Sequence, residues 1–185
     1  MKLPLSILMI YLALGSALLA ADISYNRAFF GRWPDSDRDC LNTRQELLEA
    51  QSLQPTIKSA SGCRILRGQW RDPYSGQLYF EARDLQIDHL VPLKFAWAHG
   101  ANRWPRSRAR AFFNEPGNLI VTEGRLNAQK GAQVPGDGPG EWLPPQKAFR
   151  CEYTLRFLRI SKKYDLQLTG SELQRLAQVR AEVCA

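Results

Sequence analysis

Histidine is scarce in this chain: 185 residues contain two, His89 and His99. That excludes a metal centre built from three or more imidazoles. The four cysteines show no Cys-x-x-Cys spacing, so a zinc ribbon or finger has no framework here. After residue 21, no segment is apolar over the roughly 20 residues that a membrane-spanning helix needs. Internal repeats, linkers and low-complexity tracts are absent as well. The length suits one globular domain, here expected over residues 22–185 with its motif core at about 63–135.

Acidic residues are outnumbered. Lys and Arg total 25 against 18 Asp and Glu, a formal charge of +7 with a pI near 9.5. That balance suits a polyanionic partner such as nucleic acid. Four arginines, Arg103, Arg106, Arg108 and Arg110, cluster beside Trp104. They are candidates for tracking phosphates, against the plainer reading of a solvated helix face.

The first 21 residues are set apart. Lys2 is followed by an apolar run from Leu5 to Leu14, then small residues ending in Ala20-Ala21. This is the layout of a secretory signal peptide, which predicts a secreted or periplasmic protein without stable membrane association after cleavage. An even cysteine count behind such a segment favours disulfides. Of the three possible pairings, Cys40–Cys63 and Cys151–Cys184 are expected, because each closes a local excursion outside the motif core.

Periodicity and caps predict an α+β chain. Residues 22–39 read as polar and turn-rich. A helix is expected over Thr43–Ser52, capped by Asn42 or Thr43. Strands are expected over Arg64–Trp70 and Gln77–Ala82. The turn Asp72-Pro73-Tyr74-Ser75-Gly76 joins them as a hairpin. Leu85–Ile87 leads into Asp88-His89. A short helix from Pro92 to Ala98, a helix over Ser107–Phe113, a strand over Leu119–Thr122 and a short helix over Arg125–Lys130 follow. Two longer helices are expected over Lys147–Lys162 and Ser171–Val183, the second with a Ser171/Gln174 capping box. Trp97 reads as core; Trp104 could be core or a stacking surface.

The chemistry concentrates in Asp88-His89-Leu90-Val91-Pro92-Leu93, then Asn118-Leu119, then Asn127-Ala128-Gln129-Lys130-Gly131. An acid, a base and two amides in this order suggest one site that holds a metal ion and activates water. Adjacent strand residues point opposite ways, so one site using both Asp88 and His89 requires a bend or a strand end.

This order resembles the HNH nuclease family in its His-Asn-Asn form. With Cys40-Leu41-Asn42-Thr43-Arg44, Trp70-Arg71-Asp72-Pro73-Tyr74-Ser75-Gly76 and Ala96-Trp97, it resembles secreted HNH proteins similar to the C-terminal domain of the GmrSD restriction endonucleases. The resemblance covers roughly Cys40 to Leu158. It implies a ββα-metal core flanked by an N-terminal hairpin and C-terminal helices. It also implies hydrolysis of DNA, with RNA as a further substrate class, to 5′-phosphate and 3′-hydroxyl ends.

In that reading His89 is the general base and Asn118 holds the loop and orients it. Asp88 and Asn127 are oxygen ligands. Hard oxygen donors favour Mg2+ or Mn2+, and asparagine at the last place disfavours zinc. Arg125 and Lys130 are expected to contact phosphate with the arginine cluster. An unperturbed imidazole would set an acid limb near pH ~6.5. No base-reading helix is recognisable, so sequence-specific cleavage is not expected. His99, near a helix end, reads as structural. The alternative from another class is a basic extracellular nucleic-acid-binding protein of the same fold without turnover.

Overall fold

Asn42 starts the first helix as its sequence predicts. Its side-chain oxygen accepts the backbone N–H groups of Arg44 and Gln45, satisfying two donors that a helix start leaves without partners. Helix α1 runs over Thr43–Ala50 in this computed structural model, which describes residues 24–138 and 141–185. The predicted signal segment Met1–Ala21 lies outside the described residues.

Three strands follow: β1 (Ile57–Lys58), β2 (Ile65–Arg71) and β3 (Leu78–Glu81). They form an antiparallel sheet in the order β1-β2-β3. The β2–β3 hairpin was expected; the two-residue β1 is too short for periodicity to announce. Gly76, at a φ of +76°, closes the hairpin turn, a conformation that favours glycine. The Asp72 carboxylate organises the turn from within. It accepts the Tyr74 N–H at 3.0 Å, the Ser75 hydroxyl at 2.7 Å and the Thr122 hydroxyl at 2.7 Å. Asp72 is fully buried, and those three donors compensate its desolvation. One carboxylate thus fastens the hairpin turn to the second sheet.

That second sheet pairs β4 (Leu85–His89) antiparallel with β5 (Leu119–Glu123), Asp88 opposite Ile120 and His89 opposite Leu119. Alternation divides the ribbon. Leu85, Ile87, Leu119 and Val121 pack with Leu48, Ile65 and Trp70 in one cluster. Ile120 joins a larger cluster with Tyr74, Leu90, Phe112, Tyr153 and Phe157. Burying each such large side chain contributes roughly 1.5–3 kcal/mol.

Helix α4 (Gly124–Lys130) leaves β5 directly. Both Glu123 carboxylate oxygens cap it, accepting the Arg125 and Leu126 N–H groups at 2.9 Å. Strands β4 and β5 with α4 make up a ββα unit. Between the strands lie α2 (Leu93–Ala98) and α3 (Arg106–Phe113), and after the unit come α5 (Lys147–Lys163) and α6 (Gly170–Val183). The fold is therefore α+β, six helices with two small antiparallel sheets among the described residues.

Helix α6 starts earlier than its sequence suggests. The capping box uses Thr169 and Glu172 rather than Ser171 and Gln174. The Glu172 carboxylate returns to the Thr169 N–H at 2.7 Å and also meets His99 Nε2 at 2.9 Å, so a charged partner outcompetes the amide. His99, next after α2, thereby has a structural role. Both disulfides are formed as expected. Cys40–Cys63 ties the N-terminal arm to the first sheet, and Cys151–Cys184 ties α5 to the end of α6. Closing loops of this length contributes roughly 3–4 kcal/mol each.

The segment before α1 holds more structure than its polarity suggests. Phe30 is fully buried, packed against Trp97 and Phe112. Trp33 lies flat on the His89 imidazole, ring centroids 5.4 Å apart and planes 7° from parallel.

Candidate active site

Strand β4 ends at His89, and that ending resolves the opposed directions of Asp88 and His89. Both residues line one cavity of about 230 Å3 at the end of the ribbon, and Asn127 of α4 lines it too. Arg27 and Lys94 complete the charged lining. The structure thus brings together three of the four motif residues.

Asp88 is 5 % exposed and held from two sides. The Tyr74 hydroxyl donates to Oδ2 at 2.5 Å. The Lys130 ammonium reaches Oδ1 at 3.0 Å and Oδ2 at 2.9 Å, and also donates to the His89 carbonyl at 2.9 Å. Lys130 has no exposed surface, so its ammonium cannot meet a phosphate from solvent in this arrangement. The expected phosphate contact gives way to an internal ion pair. Burial pushes the Asp88 carboxyl above its ordinary range, while Lys130 and the Tyr74 hydroxyl pull it back. Burial likewise pushes Lys130 down, opposed by Asp88. With every partner in place, the charged pair is the arrangement these contacts favour.

His89 Nε2 lies 2.8 Å from the Phe113 carbonyl oxygen, an acceptor only, so Nε2 carries the proton. Nδ1 is then the basic nitrogen. Sequence reasoning gave the orienting role to Asn118, but the group on the ring is the Phe113 carbonyl. Asn118 braces the backbone that leaves β4. Its Oδ1 accepts the Val91 N–H at 2.7 Å, its Nδ2 donates to the Val91 carbonyl at 3.3 Å, and its own carbonyl accepts the Leu90 N–H at 2.8 Å. A backbone carbonyl has no residue signature, so no motif could have revealed Phe113.

Burial pushes the His89 imidazole down to about 3, with the charges of Arg27 and Lys130 acting in the same direction and the Phe113 hydrogen bond against it. His89 is therefore neutral well below the expected ~6.5. The folded value is depressed, so the unfolded chain binds the proton more readily. The stabilisation from a neutral His89 is fully present above ~6.5 and is lost as pH falls toward the folded value of about 3. In metal-free buffer, the stability advantage of the wild type over His89→Gln should shrink by up to ~1.4 kcal/mol per pH unit between about pH 6 and 4. Urea unfolding of both proteins measures it. A constant difference over that range would contradict a buried, neutral imidazole.

The donor set fits a divalent ion bound by oxygen. The Asp88 carboxylate already receives the Tyr74 hydroxyl, the Lys130 ammonium and the His89 backbone N–H, so a divalent ion there would share its oxygens with these donors. Asn127 Nδ2 donates to Gln86 Oε1 at 2.7 Å, which fixes the amide and leaves its Oδ1 as the free acceptor. A second acidic group, Asp35, Asp37 and Asp39, is exposed on the N-terminal arm.

The arginine cluster does not line the cavity. Arg106 donates to the Phe29 carbonyl at 3.1 Å and stacks over the Phe29 ring. Arg108 donates to the Tyr164 carbonyl, pairs with Asp165 and covers Trp104. Trp104 spends its faces on these groups and on Phe112. The Arg110 side chain lies along Gly31, and Arg103 approaches Gly100. Arg125 is exposed on α4, outside the cavity lining. Arg44 donates to the Ala82 and Leu85 carbonyls, bracing the entry to β4.

Comparison with known proteins adds an independent line. A family model for the C-terminal domain of GmrSD restriction endonucleases matches residues 42–179. A protein of Arthroderma benhamiae, named only as an uncharacterized secreted protein, is 32% identical over 157 residues, 84% of this chain and 74% of that protein. No solved structure matches.

Proposed function

We propose that this chain, which belongs to the family of the GmrSD restriction endonuclease C-terminal domain, is an exported, metal-dependent HNH-type endonuclease. The observation that carries the reading is the convergence of Asp88, His89 and Asn127 on one cavity, with the His89 ring fixed so that Nδ1 is the base. The secreted relative and two disulfides support export. The substrate is nucleic acid, and DNA is the class proposed.

In-line hydrolysis needs a water that loses a proton as it attacks phosphorus. His89 Nδ1 takes that proton, and the Phe113 carbonyl stabilises the imidazolium by accepting from Nε2. Asn118 keeps the backbone after His89 from shifting, and Trp33 limits tilt of the ring. Held by Asp88 and Asn127, Mg2+ or Mn2+ would supply Lewis-acid stabilisation of charge on the phosphate and the leaving 3′ oxygen. Product ends would be a 5′ phosphate and a 3′ hydroxyl. Arg125, exposed on α4, would add a contact to the phosphate backbone of the bound strand.

A plasmid-nicking assay with and without magnesium tests the reading against the alternative of binding without turnover. Nicking that requires magnesium supports it, and binding without nicking favours the alternative. Asn127→Ala should raise the magnesium concentration for half-maximal activity on the order of tenfold, equivalent to ~1.4 kcal/mol. An unchanged titration would place the second oxygen ligand elsewhere.

A further inference from the structure

The expected phosphate contacts leave a gap. Lys130 is buried on Asp88, and the arginines of α3 are engaged away from the cavity. A nuclease still has to hold the backbone on either side of the bond it cuts. Two cations do face the cavity, Arg27 and Lys94. Both are exposed, and neither forms an ion pair among the described residues.

The charge balance of the lining decides what these cations attract. Asp88 is the lining's one carboxylate, and Lys130 already neutralises it at 2.9 Å. His89 is neutral. Arg27 and Lys94 are left as two uncompensated positive charges at the mouth. A concave, cationic site beside a base suits an anion, and a polyanion repeats that anion along its length.

Arg27 is held there by the arm. The Asn26 side chain caps its short 3-10 turn, accepting the Ala28 N–H at 3.0 Å. Phe30 anchors the turn in the core, and Arg106 fixes Phe29 from above and through its carbonyl. The Arg27 guanidinium lies 5.8 Å from the centre of the Phe113 ring, and that ring packs against His89. Lys94 enters from α2, five residues after His89. Two unrelated segments therefore deliver one positive charge each to the same opening. The family match starts at residue 42, so the segment carrying Arg27 lies outside it.

We infer that the N-terminal arm is a working part of the substrate site, with Arg27 and Lys94 as a clamp for backbone phosphates flanking the bond presented to His89. The arginines of α3 serve the clamp indirectly, because Arg106 and Arg110 dock the arm that carries Arg27. The clamp rests on the nuclease reading for its purpose but not for its measurement.

The test is binding of a fluorescein-labelled 12-mer DNA duplex to the full mature chain in EDTA, where cleavage cannot interfere, across a range of salt. Arg27→Ala/Lys94→Ala should weaken binding on the order of tenfold or more at low salt. The slope of log affinity against log salt should become shallower by about one for each residue removed. Arg83→Ala, an exposed charge at the other end of β4, should change neither by a comparable amount. Both clamp residues are exposed, and unchanged thermal unfolding verifies the fold of the variant. Wild-type affinity and slope in the double variant would overturn the inference, as would an equal loss in Arg83→Ala or a wild type that does not bind the duplex. A wild type that fails to nick DNA with magnesium, yet binds through Arg27 and Lys94, would defeat the nuclease reading and leave the clamp standing. Nicking by wild type with clamp-independent binding would do the reverse.

Discussion

Replacing His89 with alanine is expected to lower the rate of DNA cleavage by roughly 10²–10⁴-fold, the range for loss of a general base. Only two histidines exist, and His99 is committed to Phe95 and Glu172. No other imidazole can stand in. The loss should appear in kcat at saturating DNA, because the proton is transferred in the transition state rather than on binding. Asp88, Lys130 and Tyr74 do not use the imidazole, so their contacts remain and magnesium titration should shift little. The ring also fills space against Trp33 and Phe113, so some stability is lost as well. Unfolding curves separate that loss from the kinetic one. Single-turnover rates within a few-fold of wild type, in folded protein, would remove His89 from the role of base.

The second large effect is on folding. Lys130→Met leaves Asp88 buried at 5 % exposure with the Tyr74 hydroxyl as its remaining side-chain donor. An uncompensated buried charge of this kind costs roughly 3–5 kcal/mol. Pairing the change with Asp88→Asn removes the charge, and most of the loss should return. The recovery identifies the cause as the stranded carboxylate rather than lost packing. Urea denaturation of the two variants measures both effects. A Lys130→Met cost below ~1 kcal/mol would mean that the ammonium belongs in solvent, as a surface ion pair is worth no more than that, and would restore the phosphate contact its sequence position suggests.

Local chemistry was readable where its cause is local. Asn42 caps α1, Asp72 to Gly76 turns the hairpin, and Gly124 separates β5 from the rest of α4, each within a few residues of its effect. The strand-end position of Asp88-His89 and both disulfides followed from similarly short arguments. The site's immediate partners did not. Lys130 carries the same label whether it points at solvent or at Asp88, and only the packing of α4 against β4 decides. Phe113 acts through a carbonyl that every residue has. Residues 22–39 read as a polar arm because Asp and Arg dominate the count, while its aromatics Tyr25, Phe29, Phe30 and Trp33 supply its anchorage. The capping box sits at Thr169 and Glu172, a local Thr-x-x-Glu spacing that the expectation at Ser171 and Gln174 passed over.

The Asp72–Thr122 hydrogen bond has a bearing on the order in which the molecule acquires its chemistry. It spans 50 residues, and the Asp88–Lys130 contact spans 42. Closing a loop of that size costs about 3 kcal/mol of chain entropy before any contact repays it, so such pairings form late and together. The β2–β3 hairpin and the isolated helices can flicker early, but none of them holds Asp88 beside its counter-ion. A chain that has emerged only as far as His89 carries the acid and the base side by side in solvent, with neither Lys130 nor Asn127 yet made. The grouping of Asp88, His89, Lys130 and Asn127 is therefore a property of the finished topology, made when β5 and α4 close over β4.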